Sequence, residues 1–599
     1  MRDARLGDGA SGALPHAAEL PSCVGAADTV SWRTTFRRIW PELLLGLVMG
    51  TVYLFSVPLW EAPDEPYHYA NIAYVRKYGI YTLTHGMSEL PQNLKAESSQ
   101  PPLYYLVAAV ASRAFGSLRA VEFGTMEDAE CWDEAWRFYN YGSAVLPRAL
   151  RVLNLVFLLG CGVLLGHACT LTWPRDPNLA GTAVAMLWAV PQVLFVGTSI
   201  SNDAMAMAAG TLILLLWMSQ RRVPSARWLP VLGIVAVAAL AVKFSLLPLV
   251  AVGVIIAAAV GSFGLGTRLV HALLYALPAV IVCALLALAA PDLVGRVLHV
   301  VGSRIAVQAL ELRPMVMLPL VWESYWARFG WMNVIVSPGV RMAFWTLSVS
   351  LGMGLGVVIA RDRAIRAQAA VALALALASA VALVADLPHS GQAQGRHLFP
   401  AIAALSLLGA LGLRAYLSSH AGRRVAWIVG GLGTAYVLGI VMPGAYGEEP
   451  SDLILGEACC TGAQATPSLA FGGGERQAFV SSRHGLCRVG VVTGTHGLPV
   501  RGRIRLSIID RATRDLIASR TFTGEEIPDG RYLFLDFPPI KDSCDRAYMI
   551  RVEPVGEIRG SVRLFYSARD VCPQSARLTG GGDLRFATYH APHDHDKED

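Results

Sequence analysis

Long runs of apolar residues, separated by short polar segments, recur from residue 41 to residue 443 of the chain. An α-helix needs about 20 apolar residues to cross the hydrocarbon core of a bilayer, and it satisfies its own backbone hydrogen bonds there. The pattern therefore predicts eleven membrane-spanning helices. They lie near 41–60, 149–172, 180–199, 203–219, 228–243, 245–262, 272–290, 340–360, 367–385, 397–417 and 425–443.

The positions of arginine predict how these helices are oriented. Arg33, Arg37 and Arg38 precede the first span, which places the N-terminus in the cytoplasm by the positive-inside rule. The run Pro101–Gly116 is short and opens with two prolines, so we expect it to be interfacial or re-entrant. Residues 444–599 then lie outside the cytoplasm. If Pro101–Gly116 does cross, every later loop inverts.

Composition agrees with a polytopic α-helical membrane protein. Hydrophobic residues make up 54% of the 599 and charged residues 16%, with a mean hydropathy of +0.46, whereas soluble domains carry about a quarter charged residues. The formal net charge of +6 reflects arginine-rich loops, so it predicts no nucleic-acid partner. We expect a multi-pass protein whose surroundings are membrane lipid.

The last part of the chain has a different pattern. Short segments of mostly alternating apolar and polar residues are separated by turns rich in Gly, Pro and Asp, as in antiparallel β-structure. These segments are Arg503–Ile509, Tyr532–Phe537, Tyr548–Val552 and Ser561–Tyr566. They predict a β-sandwich of jelly-roll type. Its expected role is a carbohydrate-binding module, a lid over an active site, or a purely structural cap.

These patterns divide the chain into four parts. They are a cytoplasmic tail at 1–39, a transmembrane domain at 40–443, an external β-sandwich at 444–585 and a disordered tail at 586–599. Two long external loops, 61–148 and 291–339, belong to the transmembrane domain.

Two adjacent carboxylates, Asp64 and Glu65, directly follow the first span. Charge near a bilayer core is costly and usually functional; the alternative is that the pair only begins a solvated loop. The second long loop carries Arg328, and shorter external turns carry Asp203 and Arg396. Together they predict an outer cavity lined by carboxylates and cations, suited to a lipid phosphate and a hydroxyl nucleophile.

Several motifs, in this order, resemble those of GT-C membrane glycosyltransferases. The first three are Asp64-Glu65 after the first span, Gln100–Tyr105 with its Pro-Pro-Leu-Tyr-Tyr sequence, and Arg148–Asn154 entering the next span; this layout is similar to protein O-mannosyltransferases and lipid A aminoarabinose transferases. With Ser201–Ala204, Trp326–Trp331 and Gln394–Pro400, the chain looks like a large family of bacterial predicted membrane proteins of the same architecture. The C-terminal domain resembles the appended modules of actinobacterial arabinosyltransferases in architecture.

The resemblance implies an inverting transferase in a bacterial inner membrane, with its site facing the periplasm or the exterior. Such enzymes move a sugar from a polyprenyl-phosphate donor to a hydroxyl of a glycan, lipid or protein acceptor. A carboxylate takes the hydroxyl proton, and cations stabilise the departing phosphate. We expect no cofactor and no metal, because the chain lacks a clear D-x-D pair.

The resemblance also implies roles for matching positions. Asp64 is the expected base, with Glu65 as the alternative base or as its orienting neighbour. The expected donor-phosphate ligands are Lys95, Arg396 and Arg328, and the expected acceptor- or substrate-binding residues are His68, Asp203, Tyr104 and His397.

Simpler interpretations remain open for some of these residues. Lys95 is alternatively a solvated loop cation, and Arg396 alternatively marks an outer helix end. Asp203 alternatively caps the span that follows Asn202. Lys243, at the apolar end of a span, either snorkels outward or reaches a phosphate.

Two other classes of protein compete with the transferase. One is a transporter or flippase for lipid-linked saccharides, but the spans show no evident repeat and the charges cluster in external loops rather than at mid-membrane. The other is a non-catalytic cell-envelope assembly protein, for which eleven predicted spans exceed what anchoring needs. The sequence therefore favours the transferase.

Overall fold

A computed structural model of the chain describes most of its residues. They are 31–79, 100–115, 145–222, 225–259, 264–289, 314–332, 334–390, 394–446, 453–459, 464–469, 473–495, 500–528, 530–567, 576–577, 583–584 and 586–591. Of the predicted site residues, Lys95 lies outside these ranges.

The membrane part is built from α-helices. The described ones are α1 (Trp32–Ser56), α2 (Glu65–Tyr78), α3 (Leu103–Ser112), α4 (Val145–Thr172), α5 (Pro177–Trp188), α6 (Pro191–Gly197), α7 (Asp203–Arg222), α8 (Leu229–Leu240), α9 (Leu247–Ala259), α10 (Leu265–Ala289), α11 (Pro314–Trp326), α12 (Pro338–Arg361), α13 (Arg363–Ser390), α14 (Ile402–Leu413), α15 (Ser419–Tyr436) and α16 (Met442–Tyr446). Short 3₁₀ turns lie at Arg113–Phe115, Ala226–Trp228, Phe244–Leu246 and Gly395–Ala401, and a π turn at Val437–Val441.

The chain is a multi-pass membrane protein. Within the described ranges, eight helical stretches are long and apolar enough to cross a bilayer. A ninth is the pair α5 and α6, which bends by 71° inside the predicted span 180–199; Pro191 starts the second piece, and proline cannot donate the backbone hydrogen bond that would continue a helix. The predicted spans 228–243 and 245–262 correspond to the shorter α8 and α9. The count of eleven stays a prediction.

The start of the membrane domain needs a correction. Helix α1 begins at Trp32, where the Ser31 side chain accepts a hydrogen bond from the Thr34 backbone at 3.2 Å and so caps the first turn. The last residues of the predicted tail 1–39 are therefore helical. The cap, rather than the first apolar run, determines where the helix begins.

Both predicted external loops contain ordered elements. Loop 61–148 holds α2 and α3, and the backbone N–H of Leu103 donates to the carbonyl of Ala241 at 2.9 Å, just after α8. Loop 291–339 holds α11 and a small hairpin of β1 (Arg328–Phe329) and β2 (Val334–Ile335), paired antiparallel. These elements bring distant charged residues together.

The C-terminal region forms antiparallel β-structure, as the alternating pattern predicts. The strands are β3 (Ile454–Cys459), β4 (Gln464–Ala465), β5 (Glu475–Val480), β6 (Leu486–Gly494), β7 (Arg503–Asp510), β8 (Leu516–Thr523), β9 (Arg531–Ile540), β10 (Ala547–Pro554), β11 (Arg563–Ser567), β12 (Ala576–Arg577), β13 (Asp583–Leu584) and β14 (Phe586–His590). One sheet has the order β12-β5-β10-β7-β8; the other has the order β13-β11-β6-β14-β3, with β4 on β11 and β9 on β6.

One apolar core lies between the two sheets. Phe479 of the first sheet contacts Phe586 of the second, with ring centroids 5.5 Å apart, and both side chains are buried. The jelly-roll connectivity stays a prediction. The tail predicted at 586–599 begins too early, because Phe586–His590 is a strand that pairs with both β6 and β3. The five residues of this strand show no alternation of apolar and polar positions, so the sequence pattern did not separate them from the charged residues that follow.

Close packing of α7 fixes the distance between two parts of the membrane domain. A Cβ built on Gly210 would lie 1.8 Å from the carbonyl oxygen of Pro400, so this glycine lets α7 touch the backbone of the 3₁₀ segment Gly395–Ala401. Asp203 stands at the start of α7, and Arg396 belongs to that segment. The contact thus holds the two charged residues within reach of each other.

We expect Gly210→Ala to destabilise the protein, because backbone rather than a flexible side chain opposes the added methyl group. Overpacking of this kind typically costs about 1–3 kcal/mol, and more when the opposing atoms cannot move aside. Gly160→Ala is the matched control, since nothing lies within 4 Å of its built Cβ and alanine is the better helix former by about 1 kcal/mol. Thermal unfolding in detergent measures both, and equal melting temperatures for the two variants would contradict the close contact.

Candidate active site

The carboxylate of Asp64 is presented by an unusual backbone conformation. Asp64 precedes α2 with φ 61°, and Trp60, four residues earlier, has φ 73°. Non-glycine residues adopt this left-handed region rarely and at a cost, although Asp and Asn do so more than most. The Asp64 side chain makes no capping hydrogen bond to α2. It is instead available to groups from other elements.

A buried ion pair holds the neighbouring Glu65. Arg151 donates from Nε to Oε1 and from Nη2 to Oε2, each at 2.7 Å. The backbone N–H groups of Trp60 and Ile200 add hydrogen bonds of 2.8 Å and 2.9 Å. The Glu65 and Arg151 side chains are 0% and 1% exposed. Four donors on a fully buried carboxylate favour the interpretation of Glu65 as an orienting neighbour rather than as the base.

The same arginine secures the end of the first span. Arg151 Nη1 donates to the carbonyls of Leu54 and Val57, and Nη2 donates to that of Pro58. These carbonyls lie in the last turn of α1 and just beyond it, where no intrahelical donor is available. Arg151 therefore joins α1, α2 and α4 at one point, and through Glu65 it also fixes the turn before α7.

Arg396 contacts Asp64 directly. Its Nη2 donates to Oδ2 of Asp64 at 2.5 Å, and its Nε donates to Oε1 of Gln394 at 2.6 Å. The segment that carries it is attached to α11 by a 2.7 Å hydrogen bond from the Gly395 N–H to Oγ of Ser324. The Asp64 side chain is 32% exposed and that of Arg396 is 7% exposed. Arg396 is thus a buried cation beside a carboxylate that solvent reaches.

The pKa of Asp64 reflects this contact. Burial acts to raise the pKa of the carboxyl, but the charges of Arg396 and Lys243 and the hydrogen bond from Arg396 outweigh burial and hold it below its usual value. Asp64 is therefore ionised at neutral pH and is a proton acceptor rather than a donor.

A second carboxylate and a second cation complete the cluster. Lys243 Nζ donates to Oδ1 of Asp203 at 2.5 Å, and Nη1 of Arg396 lies 3.8 Å from Oδ2 of the same residue. The Asp203 side chain engages these cations and does not serve as a simple helix cap. Lys243 is 12% exposed and points to Asp203 rather than snorkelling away. We call Asp64, Asp203, Lys243 and Arg396 the charge cluster.

Two predicted substrate ligands lie beside this cluster. His68 is buried, and its Nδ1 lies 2.8 Å from the hydroxyl of Tyr105. Burial lowers the pKa of His68 to about 3, although Asp64 opposes that shift, so the ring is neutral at neutral pH. His397 follows Arg396 in the 3₁₀ segment and is within electrostatic range of Asp64 and Asp203.

Tyr104 and Arg328 occupy other surroundings. Tyr104 is 0% exposed and accepts a 3.1 Å hydrogen bond from Asn154, so it supports the site from within the core. Arg328 donates from Nε to the Met332 carbonyl at 2.6 Å and lies 3.6 Å from Glu323. Its hairpin reaches the Asp64 loop through Trp331, which donates to the carbonyl of Trp60 at 3.1 Å. Neither residue is part of the charge cluster.

Sequence reasoning did not select Arg151, Tyr105 or Gln394 as site residues, and it left Lys243 undecided. Arg151 carried a usable signal, because an arginine inside an apolar span is expensive unless it is paired. Lys243 carried the same signal at the end of its span.

Within the described ranges, no group of three or more His, Cys, Asp and Glu side chains is placed to hold a metal ion.

Comparison with known proteins gives only structural matches. No protein-family model matches the chain, and no curated protein matches it. Among solved structures it is similar to ArnT from Cupriavidus metallidurans bound to undecaprenyl phosphate, with a TM-score of 0.43 and 17% identity over 66% of this chain and 63% of that one. The apo state of the same protein gives a TM-score of 0.42 and 18% identity over 69% and 66%.

A third solved structure, arabinosyltransferase EmbB from Mycobacterium smegmatis, matches with a TM-score of 0.34 and 11% identity over 93% of this chain and 65% of that one. The chain therefore spans less than two thirds of the length of the solved chains that it matches.

We expect Arg151→Ala to unfold the outer end of the bundle, since it leaves the Glu65 carboxylate buried without its cation. Removing one partner of a buried pair costs about 3–5 kcal/mol. Arg148→Ala is the control. Arg148 lies on the same helix, is exposed, and has its guanidinium 5.8 Å from the Phe55 ring, so its loss should cost at most about 1 kcal/mol. Thermal unfolding in detergent checks both, and a wild-type melting temperature for Arg151→Ala would rule out the anchoring role.

Proposed function

We propose that this protein is a membrane glycosyltransferase that moves a sugar from a polyprenyl-phosphate donor to an acceptor hydroxyl on the extracytoplasmic side. The observation that carries the proposal is the 2.5 Å contact between the solvent-accessible carboxylate of Asp64 and the buried guanidinium of Arg396. A base and an anion-binding cation are thus side by side at one end of a membrane bundle, which is the pairing that transfer from a lipid phosphate requires.

Asp64 is the general base in this proposal. Its ionised carboxylate takes the proton of the acceptor hydroxyl as the hydroxyl oxygen attacks the anomeric carbon of the sugar. One carboxylate suffices for a single displacement, which inverts the anomeric centre. Glu65 is saturated by its four donors and orients Asp64 through the backbone that they share.

Arg396 and Lys243 bind the donor phosphate. The phosphate gains negative charge as its bond to the sugar breaks, and cations placed beside it stabilise that charge most strongly in a site from which water is largely excluded. Both side chains are at least mostly buried, which strengthens their effect. Lys243 thus takes a role first assigned to Lys95 and Arg328, while Lys95 remains a candidate from outside the described ranges.

The acceptor enters from the side where Asp64 is exposed. His68, which is neutral, and His397 are within electrostatic range of that carboxylate, and each can hydrogen bond to a sugar hydroxyl. Asp203 orders the two cations by its contacts with them. The external β-sandwich then has its predicted role as a glycan-binding module or cap, with the protein in a bacterial inner membrane and the N-terminus in the cytoplasm.

Asp64→Asn tests the base. Asparagine is nearly isosteric and still accepts a hydrogen bond from Arg396, but it cannot take the proton, so we expect transfer to fall at least about a hundredfold. The assay follows release of free polyprenyl phosphate from a panel of short-chain polyprenyl-phosphate sugars, with a cell-envelope glycan fraction as acceptor. Glu61→Gln removes a carboxylate from the same loop and should keep most of the activity. Wild-type turnover by Asp64→Asn would remove Asp64 from the role.

A further inference from the structure

Arg396 is shared between the two carboxylates of the charge cluster. Its Nη2 pairs with Asp64 at 2.5 Å, its Nη1 lies 3.8 Å from Asp203, and Gln394 holds its Nε at 2.6 Å. A guanidinium has five N–H donors in a fixed plane, and the edge that faces Asp64 is the one that a phosphate would use for a bidentate contact. A phosphate that reaches Arg396 therefore competes with Asp64.

The two carboxylates differ in how readily they can lose their contact with Arg396. The Asp64 side chain is 32% exposed, whereas that of Asp203 is 2% exposed. Asp203 is also fixed by the 2.5 Å contact with Lys243. Solvent can take over the hydrogen bonds of Asp64 when Arg396 leaves it, but Asp203 has no such replacement. Asp64 is thus the partner that the guanidinium can release.

Asp203 also provides an alternative hydrogen-bond acceptor for Arg396. Its Oδ2 is buried and accepts no hydrogen bond from any residue that the structure describes, although Nη1 of Arg396 is only 3.8 Å away. A small rotation of the guanidinium away from Asp64 would bring these atoms to hydrogen-bond distance. The structure thus contains both the contact that breaks and the contact that replaces it.

We propose that the donor phosphate displaces Asp64 from Arg396, so that the carboxylate becomes free to take the acceptor proton only after the donor has bound. This inference rests on the proposed function and adds an order of events to it. Arg396 moves from Asp64 to the phosphate while Asp203 retains it, and an enzyme without donor keeps its base neutralised by the ion pair.

The charges balance through the transfer. The bond between the acceptor oxygen and the anomeric carbon forms, the bond from that carbon to the phosphate oxygen breaks, and the hydroxyl proton goes to Asp64. The phosphate changes from a diester with one charge to a monoester that carries one more, while Asp64 becomes a neutral acid. Arg396 therefore always faces an anion, and its contact with the phosphate strengthens in the transition state, which is the condition for catalysis.

The electrostatics of the free protein agree with this order. Arg396 acts to lower the pKa of Asp64, and a carboxylate with a lowered pKa is a weaker general base. Loss of the ion pair on donor binding restores the basicity. Premature attack by water or by the wrong hydroxyl is thereby disfavoured in the empty site.

Binding of decaprenyl phosphate, without any acceptor, tests the exchange separately from turnover. If the carboxylate competes for Arg396, Asp64→Asn should bind this lipid about tenfold more tightly than the wild type, since a charge-assisted hydrogen bond no longer has to be broken. Affinities are measured by isothermal titration in detergent, with monodisperse elution as the folding check. Equal or weaker binding by Asp64→Asn would overturn the exchange.

A double-mutant cycle separates exchange from simple repulsion between two anions. Arg396→Gln should bind decaprenyl phosphate more weakly, and adding Asp64→Asn to it should then change nothing. The same tightening in both backgrounds would mean that Asp64 only repels the phosphate, and the exchange would be wrong. If the exchange fails this test but the wild type still releases polyprenyl phosphate, the proposed transferase activity is unaffected. If the lipid binds and the exchange occurs but no polyprenyl phosphate is released in the transfer assay, the transferase activity is refuted.

Discussion

The buried pair of Glu65 and Arg151 is the interaction on which the rest of the site depends. In addition to the contacts between the two side chains, the Glu65 carboxylate accepts hydrogen bonds from two backbone N–H groups, and the Arg151 guanidinium donates to three backbone carbonyls. An ion pair removed from water persists only when its remaining donors and acceptors are satisfied, and here they come from the end of α1, the start of α2, helix α4 and the turn before α7. The backbone of Asp64 is thereby held in its left-handed conformation.

The Glu65–Arg151 pair fixes the backbone on both sides of the charge cluster, and within that cluster Asp64 is the carboxylate that solvent reaches. Asp203 is placed three residues after Ile200, whose N–H is bound to Glu65, and the close approach at Gly210 brings in Arg396. Positions of opposite charge then meet in a region of low dielectric, where each contact is stronger than in water. In the proposed function, such a site would stabilise the charge that develops on the donor phosphate.

The sequence predicted the multi-pass class, the β-rich C-terminal region and the charges Asp64, Asp203 and Arg396, because each feature follows from local composition. It did not predict which charges pair, since pairing depends on helices far apart in the chain. The motif with Tyr104 and Tyr105 shows the same limit. Adjacent helical residues point in different directions, and only the packed structure reveals that the Tyr105 hydroxyl hydrogen bonds to His68 while the Tyr104 hydroxyl hydrogen bonds to Asn154.

The most direct test of a transferase uses the purified protein in sealed liposomes that carry a fluorescent polyprenyl-phosphate sugar in both leaflets, with the glycan acceptor supplied outside. We expect free polyprenyl phosphate and glycosylated acceptor to be produced together, in equal amounts, and the donor in the inner leaflet to stay there. Movement of intact donor between the leaflets, without release of polyprenyl phosphate, would contradict transferase activity and identify a transporter of lipid-linked saccharides.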